Sequence, residues 1–425
     1  MAVPRIVELA QRIAANTTKV NDYLAENNLP QPSFNLDARL DGPIPKDAAP
    51  EITGMRQSVI EDTVELQHLM LGPREYLTSC FTHNMLLPQQ AITRFGLARS
   101  LPIDGETTFA EMAASSGLAE SDIRKLIRYA IIQRIFYEPR PGVIAHSAAS
   151  RLLAENTEVH DFVSTCSDEL WQASAQTCNA MARFPGSQEP AESGFSLANN
   201  TDKSMFEFLS GDLERSRRFA NVMRGFTSGP EFDLRFATDF YPWEEHSNGT
   251  VVDVGGSHGL VCVALARKFP SMSLIVQDLK PVITCVKENV PADVAGRVSF
   301  MIHDFFKPQP VSGADVYFLR WILHDWSDKY CIQILRNLIP ALKKGARVIV
   351  SEAVLPGPGE VPRKIETRMR AFDLTMSSIH NAKERELNDW AALFQAADER
   401  FEFQGATRPP GSNHSIVVVL WTGTD

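Results

Sequence analysis

The chain has 425 residues and carries 42 Lys and Arg against 52 Asp and Glu, a formal net charge of -10 at pH 7. With 44% hydrophobic and 22% charged residues it has the composition of a folded globular protein with room for two or three domains of ~150 residues, which excludes a wholly disordered or fibrous chain. The acidic balance argues against general binding to nucleic acid or anionic membranes, and no apolar run approaches the ~18 residues that a membrane span needs.

Residues 1–20 interrupt their apolar positions with Arg5, Glu8, Gln11 and Arg12, which predicts an amphipathic helix and not a signal-peptide core. The six cysteines, at 80, 166, 178, 262, 285 and 331, show no zinc-like spacing and read as reduced core thiols of an intracellular, cytoplasmic protein. The Asn-x-Ser/Thr triplets are then chance matches. The first ~100 residues read as helices, broken by a Pro-rich connector over 30–50. From Thr108, the spacing of Phe109, Met112 and Ala113, the punctuation by Gly117 and a second helix from Glu120 with Ile123, Leu126, Ile127 and Ile131 predict a helix-turn-helix. Two short strands, 135–137 and 143–144, joined by a turn over 139–142, complete a winged helix and close a first region, 1–150. Arg124, Lys125 and Arg128 would supply phosphate contacts if the winged helix bound DNA. The same residues fit a solvated helix face, and the net charge is wrong for DNA.

Residues 151–245 read as a second helical region with a loop-rich break near 183–200. The third region, 246–425, alternates. Strands are predicted at 250–254, 274–277, 298–302, 316–319 and 347–351, with helices at 260–268, 282–289 and 328–342 between them. This series implies an α/β domain whose mostly parallel sheet is covered by helices on both faces. Residues 401–403 and 415–420 add an antiparallel edge hairpin.

The first of these strands ends in Asp253-Val254-Gly255-Gly256-Ser257-His258-Gly259 and runs into a helix. Glycines there let the backbone turn sharply and approach a ligand, and the helix start exposes amides to negative groups. The second strand ends at Asp278-Leu279, where a carboxylate can accept from both hydroxyls of a ribose lying across the strand ends. Asp304 and Phe305 follow the next strand and can hold an adenine by its amino group and its face; taken by itself Asp304 is more often a helix or turn cap, and in line with the others it reads as a ligand contact. A nicotinamide dinucleotide could use the same parts. The G-G-x-x-G spacing and the lack of a second mononucleotide half fit S-adenosyl-L-methionine better.

After the fourth strand comes Arg320-Trp321-Ile322-Leu323-His324-Asp325-Trp326-Ser327-Asp328. A strand end facing the cleft is where chemistry belongs in this architecture, while Asp325 and Asp328 alone would fit the acidic first turn of a helix. Glu352 ends the fifth strand, and Glu384 lies in the loop Asn381-Ala382-Lys383-Glu384-Arg385. This combination resembles the caffeate-type, metal-independent, S-adenosylmethionine-dependent O-methyltransferases, especially their fungal secondary-metabolite branch, over most of the chain. The Leu-His-Asp-Trp-Ser-Asp run, the Glu352 strand end and the Lys-Glu-Arg loop carry the likeness.

The resemblance implies a Rossmann-like catalytic domain behind an N-terminal dimerisation region with a winged helix. It implies that His324 is the general base, with Glu352 and Glu384 flanking and orienting its ring. Gly255, Gly256, Asp278, Leu279, Asp304, Phe305 and Arg320 would line the cofactor, and no metal is needed. Arg320 stands where the family often has a lysine, and Ser257 replaces a glycine of the usual loop at a cost in backbone freedom. Trp321, Met223, Met376 and Asp325 would face a small aromatic or alkaloid acceptor bearing a phenolic, enolic or N-hydroxyl group, although core packing explains each of the apolar ones as well. A homodimer through helices carrying Leu9, Ile13 and Val20 would follow, with packing inside one chain as the alternative. Two other functions remain: a relative of this fold that catalyses dehydration or pericyclic rearrangement without methyl transfer, and a winged-helix DNA-binding regulator.

Overall fold

The computed structural model describes residues 3–79, 81–286 and 290–424. The chain divides into two compact units, 1–171 and 172–425. In the first, helices Arg5–Glu26 and Pro50–Thr78 pack on each other across the Pro-rich connector. Leu9 is fully buried and Ile13 and Val20 half-buried, whereas Ile6, Val7, Leu69, Met70 and Leu77 stay exposed. The second helix kinks at Gly72, φ 68° and ψ 169°, because Pro73 disfavours helical backbone at the residue before it.

The winged helix follows. Thr108 and Glu111 cap the helix Phe109–Ser116 reciprocally, and Gly117 ends it at φ 72°. Ile123 and Ile127 of the helix Glu120–Ile132 share one core with Phe109 and Met112. Strands β1 (Glu106–Thr108), β2 (Phe136–Arg140) and β3 (Val143–His146) form an antiparallel sheet in the order β1-β3-β2. The three residues of β1 are an addition to the two strands that the sequence predicts. The basic residues of the second helix are engaged locally: Arg124 pairs with Glu120 at 2.5 Å, Lys125 with Asp122 at 3.0 Å and Arg128 with Glu138 at 3.4 Å, and both arginines lie over the Phe109 ring.

In the second unit β4 (Thr250–Val254), β5 (Ser273–Asp278), β6 (Val298–Ile302), β7 (Val316–Arg320) and β8 (Arg347–Glu352) are parallel. Two more strands, β9 (Val354–Leu355) and β10 (Arg385–Glu386), form a short parallel ribbon of their own. The edge strand β11 (Phe401–Thr407) and its inner neighbour β12 (Ser415–Trp421) are antiparallel, giving a seven-stranded order β11-β12-β8-β7-β4-β5-β6. Because alternate strand residues face opposite sides, the sheet needs two apolar layers. Val251, Val276 and Phe318 pack with the helix Leu260–Lys268, and Val252, Leu319 and Val350 with the helices Asp328–Leu338 and Leu387–Ala397.

Three expectations change in detail. The helix predicted over 328–342 ends at Leu338 and tightens into a 3-10 turn, Ile339–Ala341, since Pro340 cannot continue the helical ladder. The helix predicted over 282–289 begins at Lys280 and is seen to Val286, and 287–289 lie outside the described residues. Cys262 and Cys331 are buried, but Cys178 and Cys285 are exposed and Cys166 is half-buried, so core packing accounts for two of the five described thiols; Cys80 lies outside the described residues. Among the described residues no helix is long and apolar enough to cross a membrane.

Candidate active site

Strand order reverses between β4 and β7, so the loops leaving these two strands open a crevice at the carboxyl end of the sheet. The Gly255–Gly259 loop leaves β4. Gly255 (φ 74°), Ser257 (φ 49°) and Gly259 (φ 67°) are all left-handed, and the amides of Gly255 and Gly256 donate to the Gln277 carbonyl at 2.8 and 3.0 Å. A Cβ on Gly255 would come within 2.4 Å of the Ile322 side chain, and one on Gly256 within 2.5 Å of the Asp253 carboxyl. Ser257 therefore holds a strained conformation where a glycine would sit without cost.

Asp278 receives the Ser257 amide on Oδ2 at 2.9 Å and the Leu279 amide on Oδ1 at 2.7 Å, which pins the glycine loop to the end of β5. Burial pushes its pKa up, against the pull of those amides. Leu279 is 53% exposed, an unpaired apolar surface beside the carboxylate. Asp304 Oδ1 accepts from the Phe306 amide at 2.9 Å, the turn-capping contact that its sequence position also allows. Phe305 lies beside Gly255 and edge-on to Trp326. Arg320 donates to the Phe232 carbonyl at 2.7 Å, and burial lowers its pKa while Asp253 opposes the shift. Beneath the loop, burial raises Asp253 to about 7. Together, the glycine turn, the ribose-height carboxylate, and the exposed leucine and aromatic ring fit an adenosyl group.

His324 sits in the 3-10 turn Leu323–Asp325 that follows β7. It is 6% exposed. Its Nδ1 meets Glu384 Oε1 at 2.9 Å, and because a carboxylate accepts, the neutral ring carries its proton on Nδ1 and its lone pair on Nε2. Asp325 Oδ1 lies 3.5 Å from Nε2 and 3.7 Å from Nε2 of the buried His380, which stacks on Phe206. Burial opposes charging His324, but Asp325, Glu384 and Glu352 favour it and the balance raises the ring to about 10. Glu352 is the exception to the expected flanking geometry. Its Oε1 accepts from the Ile322 and Leu323 amides at 2.8 and 2.6 Å, so it reaches His324 through the loop backbone and its charge, not through a contact with the ring. Burial raises Glu352 to about 7. The amide of Glu384 is in turn held by Asp373 at 2.8 Å.

Trp321 has φ 59°, costly for a bulky residue, and its ring joins His324 at 5.0 Å to a cluster of Phe226, Phe232, Phe372 and His414. Phe372 stacks on His324 with centroids 5.9 Å apart. The expected Met376 is buried one turn beyond Phe372, and Met223, 39% exposed, lies one turn before Phe226. Phe226 and Phe372, two of the rings that meet Trp321, lie on the same helices as the expected Met223 and Met376, and their three- and four-residue offsets from those methionines were a usable signal for them. His414, uncharged through burial and in contact with Trp321 at 4.1 Å, carried no local signal. Trp321 Nε1, His414 Nε2, Glu352 Oε2 and Glu384 Oε2 are buried without hydrogen-bond partners. Among the described residues, no group of three His, Cys, Asp or Glu could hold a metal ion.

Residues 204–399 match the family model of the O-methyltransferase domain. Over 426 residues the chain is 41% identical to the grayanic acid biosynthesis cluster O-methyltransferase of Cladonia grayi, covering 99% of this chain and 88% of that protein. It is 36% identical over 427 residues to the chlorophenol O-methyltransferase of Trichoderma longibrachiatum, covering 99% and 91%. The crystal structure of OxaC resembles it with a TM-score of 0.74 at 22% identity and 98% coverage of both chains, and OxaC is also known in complex with SAH and oxaline. The likeness to OxaC shows the fold; the near-complete matches at 41% and 36% identity show more. This chain belongs to the O-methyltransferase family, alongside enzymes of fungal secondary metabolism.

Proposed function

We propose that the protein transfers a methyl group from S-adenosyl-L-methionine to a phenolic, enolic or N-hydroxyl oxygen of a small aromatic or alkaloid metabolite, with His324 as general base. The observation that carries this reading is the buried His324–Glu384 pair at 2.9 Å, on the same sheet rim as the Gly255–Asp278 cradle. When bound, the cofactor supplies an electrophilic methyl group on a sulfonium. Gly255, Gly256, Asp278, Leu279, Asp304, Phe305 and Arg320 are the residues that would hold it. Trp321, Met223, Met376 and Asp325, with Phe226, Phe232 and Phe372, would clamp the acceptor ring. A chlorophenol in the name of one relative and oxaline in a complex of another support an acceptor of this class.

His324 Nε2 takes the hydroxyl proton as the oxygen attacks. Glu384 fixes the tautomer, and Glu384 and Asp325 stabilise the imidazolium. With His324 raised to about 10 by the surrounding carboxylates and a phenol near ~10, the proton moves between groups of similar affinity, and the unprotonated ring that accepts it becomes more abundant as pH rises toward 10. Alignment supplies the rest of the barrier reduction, and none of these steps calls on a metal ion. The apolar residues Ile6, Val7, Leu69, Met70 and Leu77, exposed on the N-terminal helices, support a homodimer.

Incubation with labelled S-adenosyl-L-methionine and a panel of phenolic and N-hydroxy acceptors tests the reading. Label is expected in the acceptor, and His324→Ala is expected to lower turnover by roughly 10²–10⁴-fold with SAH affinity unchanged. Unaltered turnover in that variant would remove His324 from the role.

A further inference from the structure

We propose that Arg385 is a positioning residue whose buried guanidinium clamps the turn that presents His324. The proposal rests on the reading of His324 as the base. Arg385 is 0% exposed. Its Nη1 donates to the Leu323 carbonyl at 3.0 Å, Nη2 to the Trp326 carbonyl at 3.0 Å, and Nε and Nη2 to Asp328 Oδ1 at 3.0 and 2.9 Å. The acceptors lie at 323, 326 and 328, so one side chain ties the turn together on both sides of His324 and Asp325. Cys331 Sγ, 3.3 Å from Nη2, donates to the same two carbonyls at 3.1 and 3.3 Å.

The opposite side of the turn belongs to Glu352, which takes the amides of Ile322 and Leu323. A buried anion thus holds the N–H groups and a buried cation the C=O groups of one short loop. The β9–β10 ribbon links the two grips: β9 starts two residues after Glu352 and β10 starts at Arg385, with Val354 opposite Arg385. Glu384, the residue before Arg385, bonds the imidazole, so adjacent side chains fix the ring and the turn that carries it. A planar fork with five donors can meet three acceptors in different directions at once, which a lysine ammonium on a flexible stem cannot reproduce. A displacement of the base by ~1 Å costs on the order of 10²-fold in rate.

The test compares the full-length protein with Arg385→Lys, Arg385→Met and Asp328→Asn, the last removing the carboxylate that seats the guanidinium. SAH affinity, kcat and acceptor KM are measured, together with the titration of His324 by NMR of histidine-labelled protein. Arg385→Lys is expected to reduce kcat on the order of 10²-fold, with SAH affinity unchanged. The His324 titration should move down toward ~6.5 as its contact with Glu384 loosens. Asp328→Asn should shift both in the same direction by less. Wild-type kcat and titration in Arg385→Lys would overturn the clamp, as would activity lost only in proportion to folded protein with an unmoved titration. If Arg385→Lys and Arg385→Met both fail to fold, the residue serves the fold and the proposal fails. The NMR titration decides these outcomes even if no acceptor is methylated, which would instead refute the methyl-transfer reading.

Discussion

Replacing Glu384 with Gln keeps an oxygen that can accept the His324 Nδ1 proton and removes only the charge. The carboxylate lies 2.9 Å from the ring nitrogen, and at that separation an effective dielectric of ~20 gives about 6 kcal/mol between unit charges, or ~4 pKa units, as an upper bound set by the nearest atoms. Burial opposes the charged ring, and Asp325 and Glu352 would remain to favour it, so the fall on losing Glu384 is smaller than that bound. The sign follows: losing Glu384 lowers the basicity of His324 toward the ordinary ~6.5. The assay is kcat/KM against pH for an acceptor phenol titrating near ~10. For the wild type this ratio should climb with pH until about 10. For Glu384→Gln the acid limb should move to lower pH, and the plateau should fall on the order of 10²-fold because a weaker base takes the proton more slowly. An acid limb that stays in place would show that Glu384 does not set the basicity of His324 and would undo the charge argument.

Asp278→Ala should weaken SAH binding by at least ~10-fold, the scale of one charge-assisted hydrogen bond, without moving the His324 titration; an unchanged dissociation constant by calorimetry would contradict the ribose assignment. Stability should also fall as pH rises: His324 titrates near ~6.5 unfolded and about 10 folded, so its stabilisation is complete below ~6.5 and is lost as pH rises through 10. Glu352 and Asp253, raised by burial to about 7, act in the same direction between their unfolded values and pH 7, so the melting temperature should drop between about pH 6 and pH 10 and drop less in His324→Ala; a rise over that interval would refute the assignment.

The sheet was legible because its strands are buried on both faces and read as apolar runs broken by Gly, Pro and Asp, as at Thr250–Val254 and Val316–Arg320. The glycine loop and Asp278 were legible because each is placed by a strand end. Apart from Phe226 and Phe372, which share helices with Met223 and Met376, what escaped had no periodicity to detect. β9 and β10 are two residues each, and their pairing depends on a return of some thirty residues through the helix Arg363–His380. The same holds for Glu352: the sequence can place a carboxylate at the end of β8, but only the fold shows it facing two amides and not the imidazole. His414 is buried against Trp321 because β12 runs antiparallel and starts beside the end of β8, with Ser415 opposite Glu352. No local pattern announces that.

The charges around His324 explain why so much carboxylate surrounds one base. Asp325, Glu352 and Glu384 would be an expensive group to bury for the sake of orientation, since one hydrogen bond to Nδ1 fixes the tautomer. In the proposed reaction these carboxylates favour the positive charge that His324 takes on with the acceptor's proton. Their net effect is to favour the proton on His324, and so the oxyanion on the acceptor. That advantage requires the ring to stay on Glu384 and beside Asp325, and the contacts that keep its turn there are the two amides on Glu352 and the fork of Arg385.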